Sequence, residues 1–242
     1  MNLVLDIGNS STKYAVFQNG AALHVESSAP ELFVSRVKGL FSRYPGIGHT
    51  LISSVGRLDA NQRDVVALFS PVHLLSKDSK LPFRNSYASP QTLGADRLAL
   101  AAAAFYHNPR GNSLVIDMGS CITYEMVNDS GEYMGGAISP GLRMRYRAMH
   151  EQTAHLPLLE PAELHDFIGN DTQSCMHSGA INGMAREVDG TIEQYRSRFQ
   201  DLTVILTGGD AHFFVKRLKN TIFANPNFLL EGLNHLLEYN KS

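Results

Sequence analysis

Residues 1–20 read MNLVLDIGNSSTKYAVFQNG, and residues 114–131 read LVIDMGSCITYEMVNDSG. The second stretch repeats the first. A shift of 111 positions carries Asp6 onto Asp117, Gly8 onto Gly119, Thr12 onto Thr123 and the pair Asn19-Gly20 onto Ser130-Gly131. Each copy is predicted to be a strand, a tight turn, a second strand and a hairpin turn, because Asn-Gly and Ser-Gly between apolar runs favour short hairpins. A third strand follows in each, ALHVES in the first copy and YMGGAI in the second. A duplicated sheet unit predicts two similar lobes, 1–110 and 111–242, facing each other across a cleft.

The chemistry of the two turns is alike. Glycine lets the backbone approach a ligand, and its amide can donate to an anion. Asn9, Ser10, Ser11 and Thr12 in one turn, with Ser120 and Thr123 in the other, add donors without bulk, and Lys13 adds a positive charge. Asp6 and Asp117 would repel a bare phosphate. They make sense beside a cation, since magnesium keeps most of its waters and takes few carboxylates. The pattern suits a metal-loaded nucleoside triphosphate. Asp-x-Gly can also close a hairpin with no ligand at all, but two copies in register, both with hydroxyls on the turn, favour the ligand.

The rest of the chain alternates. ELFVSRVKGLFSRY (31–44) has apolar residues at helical spacing, HTLISSV (49–55) reads as a strand, ANQRDVVALFS as a helix and PVHLLS as a strand. That order predicts an α/β architecture with parallel pairings. A long polar loop, KDSKLPFRNSYASPQTLGADR, then leads into an alanine-rich helix, LALAAAAFY. Loops of that length in compact domains are often functional. Asp96 either caps the helix start, with Arg97 in a surface ion pair, or serves as an acid–base group with Arg97 as an anion anchor. A helix carrying Arg143, Arg145 and Arg147 follows Pro140-Gly141. Its Leu142, Met144, Tyr146 and Met149 suit either an interface or ordinary core packing. Residues 174–199 are predicted helical, with small residues for close packing. VIL then runs into Thr207, Gly208, Gly209 and Asp210, where a glycine pair at a strand end suits the adenosine end of the nucleotide.

Composition excludes several classes. The chain has 242 residues, 43% hydrophobic and 18% charged, which suits a globular fold rather than disorder. A formal net charge of -2 gives no electrostatic footprint for nucleic acid or acidic membranes. No apolar run is long enough to span a bilayer, and the N-terminus lacks the pattern of a secretory signal. Cys121 and Cys175 lie far apart without metal-ligand spacing, which suits a reducing, cytoplasmic setting. The ten histidines are scattered, and neither a Rossmann fingerprint nor a P-loop occurs.

Four motifs now stand in order: DIGNSSTK, YASPQTLGADR, DMGSCIT and LTGGDA. Together they resemble the type III pantothenate kinases, within the superfamily of sugar kinases, actin and heat-shock ATPases. The resemblance implies a duplicated ribonuclease-H-like fold, with mixed sheets flanked by helices and a central nucleotide cleft. It implies ATP-dependent phosphorylation of pantothenate to 4′-phosphopantothenate, the first step of coenzyme A biosynthesis, with magnesium, a monovalent cation (potassium or ammonium) and a homodimer. By the same resemblance Asp6, Ile7, Gly8, Asn9, Ser10, Ser11, Thr12, Lys13 and Ser120 hold ATP, and Asp96 accepts the proton. Tyr87, Gly94, Ala95, Asp96 and Arg97 hold pantothenate, joined by Thr172 from the neighbouring subunit, and Asp117 holds the monovalent cation. Ser10 stands where the family has threonine, and Ser120-Cys121 where it has threonine and alanine; serine keeps the hydroxyl for ATP but loses a methyl contact, so a weaker nucleotide grip is expected. Another small-molecule kinase of the superfamily, or a non-catalytic regulatory relative, is the alternative.

Overall fold

The computed structural model describes residues 1–8, 11–54, 60–164 and 166–241. In chain order its elements are β1 (Asn2–Ile7), β2 (Thr12–Gln18), β3 (Ala21–Ser28), α1 (Phe33–Arg43), β4 (His49–Ser54), α2 (Ala60–Ala67), β5 (Val72–Leu74), β6 (Arg84–Asn85) and α3 (Ala95–His107). These are followed by β7 (Ser113–Met118), β8 (Cys121–Val127), β9 (Glu132–Pro140), α4 (Leu142–Glu151), α5 (Thr172–His177), α6 (Gly183–Arg198), β10 (Thr203–Thr207), α7 (Ala211–Phe214), β11 (Phe223–Ala224) and α8 (Phe228–Asn240). The chain forms two compact units. The first comprises Met1–Pro109, Gly131–Tyr133 and Asn227–Ser242, and the second Arg110–Ser130 with Met134–Pro226.

In the first unit the sheet order is β3-β2-β1-β4-β5. β1 pairs antiparallel with β2 and parallel with β4, so it is central in the sheet, and both α1 and α8 pack against it. That is why Leu3, Val4 and Leu5 are all apolar and fully buried, where a half-exposed strand would alternate. On one face Leu3 and Leu5 meet Phe33, Val37 and Leu40 of α1, spaced four and three apart along one helical stripe. Asn19 and Gly20 both have positive φ, 52° and 80°, as the two-residue hairpin turn requires.

α8 packs against α3 and against β1. The sequence reading had no element here. Ala99 and Ala101 to Ala104 of α3 are completely buried. A side chain at Gly232 of α8 would place its Cβ 1.9 Å from the Ala99 carbonyl oxygen, so the two helices touch backbone to backbone. The alanine run and Gly232 are two halves of one contact. Asn2 fixes the helix along the strand, donating from Nδ2 to Asn234 Oδ1 at 2.7 Å and to Glu238 Oε1 at 2.6 Å.

In the second unit β10 and β7 pair in parallel, and β7 and β8 are antiparallel. Leu114, Ile116, Ile122 and Tyr124 of this sheet pack on Leu142 and Tyr146 of α4 and on Ile181, Met184, Val188 and Ile192. Core packing is therefore what Leu142 and Tyr146 do, while Met144 is left exposed. α5 and α6 run on through a π-helical turn at Ser178–Asn182. Close packing at the glycines of this helix does not occur. Gly179, Gly183 and Gly190 have no heavy atom within 4 Å of where a Cβ would stand.

The internal repeat holds, with a slip of one residue. Asp6 pairs with Lys13 across β1 and β2, but Asp117 pairs with Thr123 across β7 and β8. The structural counterpart of Thr12 is therefore Ile122, not Thr123. The first turn is one residue longer than the second: Gly8 N donates to Ser11 O at 3.0 Å, and Gly119 N donates to Cys121 O at 3.0 Å. A shift in letters matches the glycines; the ladder counts from the strands.

Candidate active site

The first turn hangs on the ends of β1 and β2. Asp6 lies beside Lys13 on one side and Ser53 of β4 on the other. Burial pushes its carboxyl up to about 6; Lys13 pulls it back, and the charge of Asp96 adds to the rise. The charge of Asp96 thus reaches Asp6. Ser53 is fully buried, and its hydroxyl has no hydrogen-bond partner among the described residues. The sequence reading passed over it, although a polar pair closing the strand LISS was the available signal. Of the expected ATP-loop residues, Ile7 packs against the apolar cluster of the first unit, and Gly8, Ser11 and Lys13 are half-buried. Thr12 is completely buried inside β2. Asn9 and Ser10 lie outside the described residues.

The long loop before α3 is tied down by β6, which pairs in parallel with the start of β9. Arg84 and Glu132 make a salt bridge at 2.6 Å, and Ser86 N donates to Tyr133 O at 3.0 Å. α3 begins after Gly94, with Ala95 first and Asp96 second. Asp96 Oδ1 accepts from Arg97 N at 2.9 Å. Arg97 is 6% exposed, so a surface ion pair is excluded. Its guanidinium lies 5.3 Å from the centre of the Tyr87 ring and donates to Tyr87 Oη at 3.4 Å. Tyr87 stacks in turn on Tyr133, which is fully buried. Gly94, Ala95 and Asp96 line a cavity of about 460 Å³, which also reaches Ser54, Leu75 and Leu98. The cavity opens beyond the C-terminal ends of the parallel strands β4 and β5, where open α/β sheets bind their ligands.

In the second unit Asp117 is the next-to-last residue of β7, beside Thr207 of β10. Gly141 N donates to Ser120 O at 3.2 Å, which sets the start of α4 against the second turn. The glycine pair after β10 divides its work. Gly208 has φ +97°, and a Cβ there would lie 2.4 Å from Asp117 Oδ1 and 2.5 Å from Met118 N and O. Gly209 is exposed, with nothing within 4 Å of its Cβ position. So Gly208 admits the protein's own strand end, and Gly209 leaves the room a ligand would need. Asp210 is 5% exposed and accepts from Arg143 Nη1 at 2.7 Å. Arg145 pairs with Glu187 at 2.6 Å. Two members of the arginine cluster are thus committed to carboxylates of the same unit.

Thr172 opens α5 directly after its cap. Asp171 accepts from Ser174 N at 2.9 Å and Ser174 Oγ accepts from Asp171 N at 3.1 Å, a reciprocal capping box. Thr172 is exposed and borders a cavity of about 570 Å³ with Met149, Leu156 and Met176. Leu158, Phe167 and Ile168 stand exposed in the preceding segment. Among the described residues no three His, Cys, Asp or Glu side chains gather as metal ligands, and no helix is long and apolar enough to cross a membrane. Cys121 and Cys175 are both free thiols.

Comparison with known proteins identifies the family and the fold. A sequence profile of the type III pantothenate kinases matches residues 2–194. The type III pantothenate kinase of Christiangramia forsetii is 48% identical over 244 residues, covering 100% of both chains. That of Flavobacterium johnsoniae is 44% identical over 239 residues, covering 99% of this chain and 98% of its own. Among solved structures, a conserved Campylobacter jejuni protein assigned to the Baf family of transcriptional activators superposes with a TM-score of 0.64 at 18% identity, covering 99% of this chain and 98% of that one. A glucokinase from an Antarctic psychrotroph gives 0.51 at 12% identity, covering 98% of each. At those identities the structural matches speak for the fold alone: α/β, with mixed sheets flanked by helices, as in the actin-like sugar kinases.

Proposed function

The chain belongs to the type III pantothenate kinase family, and on that premise we propose that it transfers the γ-phosphoryl group of ATP to the primary hydroxyl of pantothenate, giving ADP and 4′-phosphopantothenate. The observation that carries this reading is Asp96, held at the start of α3 on the wall of a cavity that leucines and polar side chains share, within electrostatic reach of Asp6. A carboxylate that orients an alcohol belongs there. Phosphoryl transfer passes through a loose transition state, so the protein's task is positioning and charge neutralisation. Asp96 accepts the hydroxyl's hydrogen bond and then its proton, as the new oxygen–phosphorus bond forms and the bond to the β-phosphate oxygen breaks. Arg97 and Tyr87, locked together, brace the start of α3 that carries Asp96. Gly8, Ser11 and Lys13, with Asn9, Ser10 and Ser120, are the polar groups for the phosphates.

The residues fit a divalent ion, which a kinase using ATP requires. Asp6 is a hard oxygen donor whose burial makes its lone charge costly, and a cation relieves that cost. Magnesium bound with ATP beside Asp6 would supply charge neutralisation for the phosphates. Asp117 is the carboxylate for the monovalent cation, potassium or ammonium. A coupled ADP-release assay tests both statements. Pantothenate should be turned over and a panel of sugars should not, and sodium alone should support far less activity than potassium or ammonium. Turnover of a sugar in place of pantothenate would overturn the function, and equal rates in all three salts would remove the cation from Asp117.

We assign the active form to a homodimer in the cytoplasm, with Thr172 serving the neighbour's site. The exposed Thr172 follows a segment with exposed Leu158, Phe167 and Ile168, apolar side chains that a second copy of the chain could cover. A two-fold contact would complete two equivalent sites. Mixing an Asp96→Asn chain with a Thr172→Val chain, each nearly inactive alone, should restore part of the activity, because one site of the mixed dimer keeps both residues. A monomer at assay concentration, or no recovery after proven subunit exchange, would refute the shared site.

A further inference from the structure

The cavity beside Asp96 has two formally charged lining residues among those described, Asp96 itself and Lys77. Leu75, Leu93 and Leu98 supply its apolar wall. Arg97, an anion anchor in one of the two readings of the sequence, is not part of that lining. Its side chain is buried and turned onto Tyr87. Lys77 is exposed, and among the described residues it has no hydrogen-bond or ion-pair partner for its ammonium group.

Lys77 is also held in place. Leu75 N donates to Ile52 O at 2.9 Å, which pins the end of β5 to β4. A tight turn follows. Ser79 N donates to Ser76 O at 3.1 Å, Ser76 N donates to Ser79 Oγ at 3.1 Å and Asp78 N donates to Ser76 Oγ at 3.2 Å. Ser79 Oγ is bonded to His73 Nε2 of β5 at 2.9 Å. Lys77 is the second residue of this four-residue turn, so its backbone is fixed before any ligand arrives, which lowers the entropy lost on binding.

Pantothenate carries a hydroxyl at one end, a dimethyl group next to it and a carboxylate at the other end. On the function proposed above, the hydroxyl meets Asp96 and the dimethyl group meets the leucines. The carboxylate then needs a cation on the same cavity wall. We propose that Lys77 is that cation, a specificity-determining residue that holds the substrate's carboxylate and separates pantothenate from its neutral analogues.

The test is steady-state kinetics of the full-length enzyme with pantothenate and with pantothenyl alcohol, in which a hydroxymethyl group replaces the carboxylate. Lys77→Gln should raise KM for pantothenate about tenfold, the loss expected for one charge-assisted hydrogen bond. Its kcat should stay within about threefold, and KM for the alcohol should not move, because that bond is made equally in ground and transition states. Lys77→Arg should restore most of the loss, and the gap between Lys77→Gln and wild type should narrow as salt rises. An equal rise in KM for both substrates, or none for pantothenate, overturns the assignment while leaving the kinase reading intact. A wild-type enzyme that phosphorylates neither substrate removes the kinase reading and Lys77's role with it.

Discussion

Asp96→Asn is expected to lower kcat by about a hundredfold or more while the folded state survives, since a positioned general base contributes roughly that much. The second half of the expectation comes from the local geometry. Asp96 is the second residue of α3, and its Oδ1 accepts from Arg97 N at 2.9 Å. An asparagine oxygen can accept the same bond from the same rotamer, so the helix start keeps its partner. What asparagine cannot do is take a proton from an alcohol. The variant has a second readout that does not depend on turnover. Asp6's carboxyl is pushed up to about 6 by burial first, and the charge of Asp96 adds to the rise against the pull of Lys13. Removing that charge should move the Asp6 titration to lower pH, visible in carboxyl carbon NMR. Activity within about tenfold of wild type would return Asp96 to a purely local role at the helix start. An unmoved Asp6 titration would show that the two carboxylates do not share a site.

Much of this was legible in the sequence because the relevant signals are local. Leu3 to Leu5 form a central strand because nothing polar interrupts them, and Asn19-Gly20 turns because both residues tolerate positive φ. Asp96 opens a helix in the structure as it does in the sequence reading. Signals that depend on partners were not legible. The slip between the two repeats is invisible in the letters, since turn length is set by which carbonyl the glycine amide reaches, Ser11 O or Cys121 O. The alanine run of α3 announced a close neighbour without saying which. Gly232 is that neighbour, well over a hundred residues later, in a segment whose apolar spacing (FLLEGLNHLLEY) was there to be read. Arg97 beside Asp96 reads either as a surface ion pair or as an anion anchor, and only the fold shows its guanidinium on Tyr87. Lys77 was one polar letter in a polar loop; its meaning comes from the cavity it borders.

Gly208→Ala is expected to damage stability and activity together, and Gly209→Ala to separate them. At Gly208 the backbone has φ +97°, where L residues are strained, and the new Cβ would meet Asp117 Oδ1 at 2.4 Å and Met118 N and O at 2.5 Å. Backbone strain of this kind costs about 1–3 kcal/mol and overpacking a similar amount, so about 3 kcal/mol in all is a reasonable scale. In a chain of this size that lowers the thermal midpoint by roughly 10 °C. The contacting atoms are the backbone of Met118 at the end of β7, which cannot give way cheaply, and Oδ1 at the tip of the short Asp117 side chain. The relaxation must therefore move the group proposed to hold the monovalent cation, and half-activation should need more potassium than in wild type. Gly209 carries no such burden. Its Cβ would stand in open space with no positive φ to oppose it, so Gly209→Ala should keep the wild-type midpoint within about 2 °C. If a nucleotide approaches the backbone there, the same variant raises KM for ATP while the potassium requirement stays put. Gly208→Ala with a wild-type midpoint and a wild-type potassium response would mean that β7 and β10 can part without cost at Asp117. The cation site would then have to be sought on other residues.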